Sequence, residues 1–210
     1  MTKVFFSVTM SLDGFIAPAL RGDDVGDQRW LGQWMELQRY VFEQRFFRER
    51  LKLGDGGLTG DDNRILEETF ARTGVSIMGK RMFDGGERHW PEEAPFGTPV
   101  FVLTRQVRPP WERKGGTTFH FVNDGIERAL RRAREVSGGR DIRIAGGAHV
   151  IRDYLDAGLV DEFHIALAPV FFGRGTRLFD DVDAARLGLE LQRTVPSSMV
   201  SHLFYAVRRR

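Results

Sequence analysis

Glycines, a hydroxyl and several cations stand together at three places in this chain, each just past a run of β-branched or apolar residues. Ile142-Arg143-Ile144-Ala145 leads into Gly146-Gly147-Ala148-His149-Val150, Val75-Ser76-Ile77-Met78 into Gly79-Lys80-Arg81-Met82, and Pro99-Val100-Phe101-Val102-Leu103 into Thr104-Arg105. Residues without a Cβ let a ligand approach the backbone, and the first amides of a following helix are unpaired donors carrying partial positive charge. Lys and Arg beside them add charge-assisted hydrogen bonds to phosphate. If the three runs are strands of one open α/β sheet, their carboxyl ends share the edge where ligands of such sheets bind. An anionic dinucleotide fits that inventory, although any one of these motifs alone also reads as a tight turn with no ligand.

Other patterns are weaker. Gly74-Val75-Ser76-Ile77-Met78-Gly79-Lys80 fills the first seven positions of a triphosphate-binding loop, but Arg81 stands where a Ser or Thr must bind magnesium, and Val-Ser-Ile-Met favours a strand. A Gly-x-Gly-x-x-Gly fingerprint is missing. Asp13, in the turn sequence Ser11-Leu12-Asp13-Gly14, is the candidate polar group for a reaction centre, or else only a turn former. Trp90 reads as a pocket wall or a core tryptophan. With no cysteine, disulfides and thiolate chemistry are excluded, and His89, His120, His149, His164 and His202 have spacings that match no metal pattern, so no metal site is expected.

The elements that must position these residues follow from periodicity. Residues 3–10 read as a strand, with a polar loop through Asp23, Asp24, Gly26 and Asp27. Gln28 to Leu53, carrying Trp30, Trp34, Tyr40, Phe42, Phe46 and Phe47, reads as one or two amphipathic helices, a lid or an oligomer face. Asp62 is placed to cap a helix over Asn63–Arg72 that Gly74 ends, and Asp124-Gly125-Ile126-Glu127 resembles a capping box. Val150, Ile151, Tyr154 and Leu155 recur at helical spacing before Gly158. A strand from Leu159 to Phe172, interrupted by Pro169, and a hairpin of Gly188–Val195 with Met199–Arg208 complete the chain. Strand–helix alternation with a terminal hairpin predicts an α/β fold: a mixed, mostly parallel sheet flanked by helices, with an antiparallel edge.

At 210 residues and 41% apolar content, the expectation is a single domain with a helical insertion at about 26–60. Thirty-one basic against 29 acidic residues, mixed along the chain, give a net charge of +2 and no concentrated face for nucleic acid. No apolar run reaches a membrane span or a signal peptide, so the expected setting is cytoplasmic, without a membrane partner.

In this order, Ser11-Leu12-Asp13-Gly14, Met78-Gly79-Lys80-Arg81, Leu103-Thr104-Arg105, Ala145-Gly146-Gly147-Ala148 and Gly158-Leu159-Val160-Asp161-Glu162 running to Ala168-Pro169-Val170-Phe171-Phe172-Gly173 resemble the dihydrofolate reductase-like family. The likeness is to the branch that includes the reductase domain of bacterial riboflavin biosynthesis proteins, and it covers nearly the whole chain. It implies an NADPH-dependent reductase of a C=N or C=O bond in a small pterin- or pyrimidine-like substrate, and a homodimer. Gly146 and Gly147, joined by a cis peptide, would meet the pyrophosphate within the run Ala145 to Val150. Gly79, Lys80, Arg81, Met82, Leu103, Thr104 and Arg105 would surround the adenosine 2′-phosphate, with Ile16 and Ala17 near the nicotinamide. Asp13, Phe15 and Trp90 would face the substrate. Phe15 replaces the lysine, and Met82 the threonine, that riboflavin-pathway reductases carry. In dihydrofolate reductases an acidic residue on the helix before the second strand binds the pterin, and Glu67 and Glu68 lie on the analogous helix. A nucleotide-binding protein that has kept this fold and lost catalysis is the alternative reading.

Overall fold

The computed structural model describes residues 2–19 and 28–209. In chain order the elements are β1 (Val4–Ser11), β2 (Phe15–Pro18), α1 (Gln28–Leu37), α2 (Arg39–Glu43), α3 (Arg45–Leu51), α4 (Asp61–Arg72), β3 (Thr73–Gly79), α5 (Lys80–Glu87), β4 (Val100–Leu103), β5 (Trp111–Glu112) and β6 (Thr118–Val122). There follow α6 (Ile126–Val136), β7 (Asp141–Gly146), α7 (Ala148–Asp156), β8 (Glu162–Ala168), β9 (Gly175–Arg177), β10 (Leu187–Pro196) and β11 (Ser201–Arg209). The polar loop read at 23–27 lies outside the described residues.

Nine strands form one sheet in the order β10-β11-β8-β1-β7-β3-β4-β6-β5, and β2 pairs with β9 beside it. β8, β1, β7, β3, β4 and β6 run parallel, while β11, β10 and β5 are antiparallel additions at the two ends. The six parallel strands therefore end at one edge. Their inner runs are mostly apolar because both faces are covered, with Ser7, Arg143 and His164 as polar exceptions on one face. One face buries Val4, Phe6, Ile77, Ile144 and Ile165 under Leu130 of α6 and Ile151 and Tyr154 of α7. The other carries two smaller clusters, Phe83 of α5 on Met78, Val102 and Phe119, and Leu37 with Tyr40 on Ala166 and Ala168. The aromatic insertion thus packs on the sheet through α1 and α2, while Phe46 and Phe47 of α3 pack on Phe70 of α4. Among the described residues no helix is long and apolar enough to cross a membrane.

Four local readings are corrected by the structure. Asp62 does not cap α4, whose N-cap is Gly60 without a side-chain bond, because its carboxylate is turned inward to His202. Asp124 leaves the N-cap of α6 to Gly125 and pairs with Arg128 at 2.6 Å. Gly74 lies inside β3, at a register shift, where a Cβ would come 2.4 Å from the carbonyl oxygen of Ser137. The strand predicted to run from Leu159 to Phe172 spans only Glu162–Ala168, since Pro169 has no N–H to continue the ladder.

Candidate functional site

The predicted glycine and cation motifs converge on the common edge of the parallel strands. Met78 is in register with Gly146, and Gly79 with Leu103. A Cβ on Gly79 would sit 3.0 Å from Val150 Cγ2 and 3.9 Å from both the Gly146 carbonyl and the Gly147 amide, and one on Gly146 would sit 3.3 Å from Met82 Sδ. The peptide between Gly146 and Gly147 is cis. By contrast, a Cβ on Gly147 meets nothing within 4 Å, so open space lies over the residue that caps α7 and precedes its unpaired amides at Ala148 and His149. Arg152 Nη2 lies 3.1 Å from His149 Nδ1.

Cations flank this open backbone. Lys80 pairs with Asp84 one turn along α5, whereas Arg81 and Arg105 are exposed and make no ion pair among the described residues. Thr104 continues the β4 edge, its amide donating to the Val122 carbonyl at 2.9 Å and its Oγ1 accepting from the Gln106 amide at 3.0 Å. Ile16 and Ala17 are half-buried on β2, just past the end of β1. Open glycine backbone with two unpaired guanidinium groups fits the phosphates of a dinucleotide. A separate open cleft of about 390 Å³, lined by residues such as Phe101, Arg108, His120 and Arg132, holds none of these residues, and the chemistry of its lining gives it no comparable claim.

The substrate-side candidates are placed differently. Asp13 accepts from Ser11 Oγ at 2.6 Å, from the Gly173 amide at 2.6 Å and from the Phe172 amide at 3.1 Å. Burial would raise its pKa, but these hydrogen bonds outweigh it and hold the carboxyl below its usual value. Asp13 thus braces the β1–β2 turn against the 172–173 loop. Phe15 is buried, with the Arg177 guanidinium 4.4 Å above its ring. Trp90 stacks on Phe119 at 5.1 Å within an aromatic cluster around Phe83, which is a core position. Glu67 accepts from Asn63, and Glu68 pairs with Arg64 and Arg193 on the outside of α4.

What sequence reasoning missed is a cleft in the sheet. β1 pairs with β8 as far as Ser11, but with β7 only from Val4 to Phe6, so the two central strands part beyond that point. On the face under α2 and α4, beside this gap, lies a buried polar chain. Ser7 Oγ is 2.8 Å from His164 Nδ1, His164 Nε2 is 2.8 Å from His202 Nδ1, and His202 Nε2 is 2.6 Å from Asp62 Oδ1. Both histidines and Asp62 are buried and Ser7 is half-buried. Beside them Arg143 reaches from β7 to within 3.5 Å of the Ser7 carbonyl, its guanidinium 5.1 Å from the Phe70 ring. Burial lowers Arg143 to about 10 and raises the Tyr40 hydroxyl to about 12, so at neutral pH the first is charged and the second is not. Alternation along β1 and β8 puts Ser7 and His164 on one face, a signal present in the sequence. Their link to Asp62 through His202, which is 140 residues from Asp62, is not.

Residues 2–200 match the RibD C-terminal domain. The chain belongs to that family. A stretch of 87 residues of this RibD C-terminal domain is 36% identical to YyaP of Bacillus subtilis (strain 168), itself uncharacterized; the stretch is 40% of this chain and 45% of that protein, so the match spans less than half of the relative. Over the full length of both chains the structure is similar to a putative riboflavin biosynthesis protein from Shewanella sp. PV-4, with a TM-score of 0.65 and 20% identity. It is also similar to the dihydrofolate reductase of Enterococcus faecalis solved with NADP(H), over 98% of this chain and 96% of that one, with a TM-score of 0.55 and 14% identity. At these identities the likeness is one of fold, and the fold is dihydrofolate reductase-like.

Proposed function

We propose that this chain is an NADPH-dependent reductase of a C=N or C=O bond in a small pterin- or pyrimidine-like heterocycle. The observation that carries this reading is the meeting of three glycine- and cation-bearing strand ends at one sheet edge, next to the gap between β1 and β7. Membership of a family whose other members include riboflavin-pathway reductases supports it. Gly146, Gly147 and the first amides of α7 would hold the pyrophosphate, and Arg81, Thr104, Arg105 and Lys80 the 2′-phosphate, with Lys80 first leaving Asp84. Ile16 and Ala17 would border the nicotinamide, which supplies a hydride when bound. The remaining work falls to the protein's own groups, which orient the heterocycle against that ring and keep water out. α1 to α3, lying over the sheet face that carries Ser7 and Thr9, are placed for the second task.

Purified protein incubated with NADPH and a panel of pyrimidinones, pterins and simple carbonyl compounds should oxidise the cofactor in step with reduction of one of them. Tight NADPH binding without turnover of any compound would favour the non-catalytic reading instead. We extend the proposal to a homodimer, which light scattering at micromolar concentration tests directly, with a monomer counting against it.

A further inference from the structure

We propose that Ser7 and Arg143 form a paired acceptor and donor that reads an N–H beside a C=O, the edge of a lactam ring, and that His164, His202 and Asp62 are positioning residues that hold Ser7 in its acceptor state. The inference rests on the reductase reading only in taking the β1–β7 gap as the substrate side of the site. Its core is the direction of the buried hydrogen-bond chain.

A carboxylate only accepts, so His202 Nε2 must carry the proton shared with Asp62 Oδ1. With the His202 ring neutral its Nδ1 is an acceptor, and His164 Nε2 donates to it. That leaves a lone pair on His164 Nδ1, so the hydrogen of Ser7 Oγ is committed to the ring. The hydroxyl cannot donate outward. Its remaining lone pair can only receive a hydrogen bond. This tautomer assignment follows from the network with both rings neutral, and an imidazolium at His164 is opposed by burial first and then by the charges of Arg143 and Arg193. No solvent-exposed network would hold one polarity in this way, because water accepts and donates equally well.

The donor half of the pair is Arg143. Its five N–H groups make one long contact, to the Ser7 carbonyl, and Nε is buried without a partner. No carboxylate among the described residues pairs with it. Tyr40, packed nearby on α2, contributes a neutral hydroxyl turned to Thr9, and so does not balance the charge. A buried guanidinium with unused donors is costly unless a ligand oxygen takes them. Ser7 stands between His164 on β8 and Arg143 on β7, at the point where the ladder to β7 stops. A cyclic amide presents the matching order, its N–H to Ser7 and its carbonyl oxygen to Arg143.

The first test is the protonation of the two rings, read from histidine side-chain nitrogen NMR at pH 7.5. Both are expected as the neutral Nε2–H tautomer, and an Nδ1–H tautomer or an imidazolium at either ring would overturn the proposal. The second uses pterin and 3-methylpterin as probes, titrated in the presence of saturating NADPH. Pterin should bind at least about tenfold more tightly, the equivalent of one lost hydrogen bond, and should shift the His164 ring signals. Ser7→Ala should abolish the discrimination while NADPH affinity stays unchanged, Arg143→Met should weaken both probes, and His202→Phe should erode the discrimination with Ser7 still present. Equal affinities in the wild type, discrimination that survives Ser7→Ala, or no binding of either probe at millimolar concentration would each overturn it. Failure of NADPH itself to bind would instead count against the reductase reading, because the ring tautomers are measured without cofactor.

Discussion

Gly147 is where the lack of a side chain has the most direct consequence. The space over it is open, so a branched residue is accommodated by the protein but takes the room a pyrophosphate needs. Gly147→Val should therefore leave circular dichroism unchanged and abolish NADPH binding by calorimetry; normal affinity would reduce the motif to a turn. His164 supports a different prediction. Its folded-state pKa lies well below the usual 6.5, through burial first and then the charges of His202, Arg143 and Arg193. The unfolded chain takes up a proton as pH falls through about 6.5, and the native state does not. Stability should thus drop below that pH with a slope approaching about 1.4 kcal/mol per unit, and the slope should flatten in His164→Asn. Urea unfolding at pH 7.5 and 5.5 measures it, and identical slopes in the two proteins would contradict the assignment. Asp13 marks the other side of legibility at this scale. Its type and position suit either a turn former or the polar group of a reaction centre, and the amides of Phe172 and Gly173 that hold it come from across the chain, where no local pattern shows them.

At the scale of elements, the parallel strands and α7 were legible because their patterns repeat locally: Val150, Ile151, Tyr154 and Leu155 are all buried, and Gly158 turns the chain with φ of 61°. The caps were not. Asp62 and Asp124 carry the right chemistry for capping, yet a buried histidine competes for the first and two arginines of α6 itself, Arg128 and Arg132, for the second. Gly74 was read as a helix stop but serves a packing contact, with the end of α6 pressed against β3. Gly74→Ala would drive a Cβ to 2.4 Å from the Ser137 carbonyl and 2.8 Å from Arg140 Cβ. A cost of about 1–3 kcal/mol is expected, read as a lower urea midpoint with an unchanged slope. A neutral result would mean that α6 can move away from the sheet without loss.

For the molecule as a whole, the sheet order puts β1 and β7 side by side at its centre and then lets them part, so the glycine-lined edge and the Ser7–Asp62 chain lie beside one gap. No local pattern announces this, because the length of a ladder depends on how two strands 138 residues apart in partner positions twist and diverge; Phe6↔Ile144 is the last pair. The edge was readable from glycines and cations, and the substrate side was not. The central claim is that this edge is built for a dinucleotide with a 2′-phosphate. Calorimetric titration of the wild-type protein with NADPH and with NADH tests it most directly. Arg81 and Arg105 carry no competing ion pairs among the described residues, so the extra phosphate should gain charge-assisted hydrogen bonds, and NADPH should bind on the order of tenfold to a thousandfold more tightly. Equal affinity for the two, or binding of neither, would contradict the account.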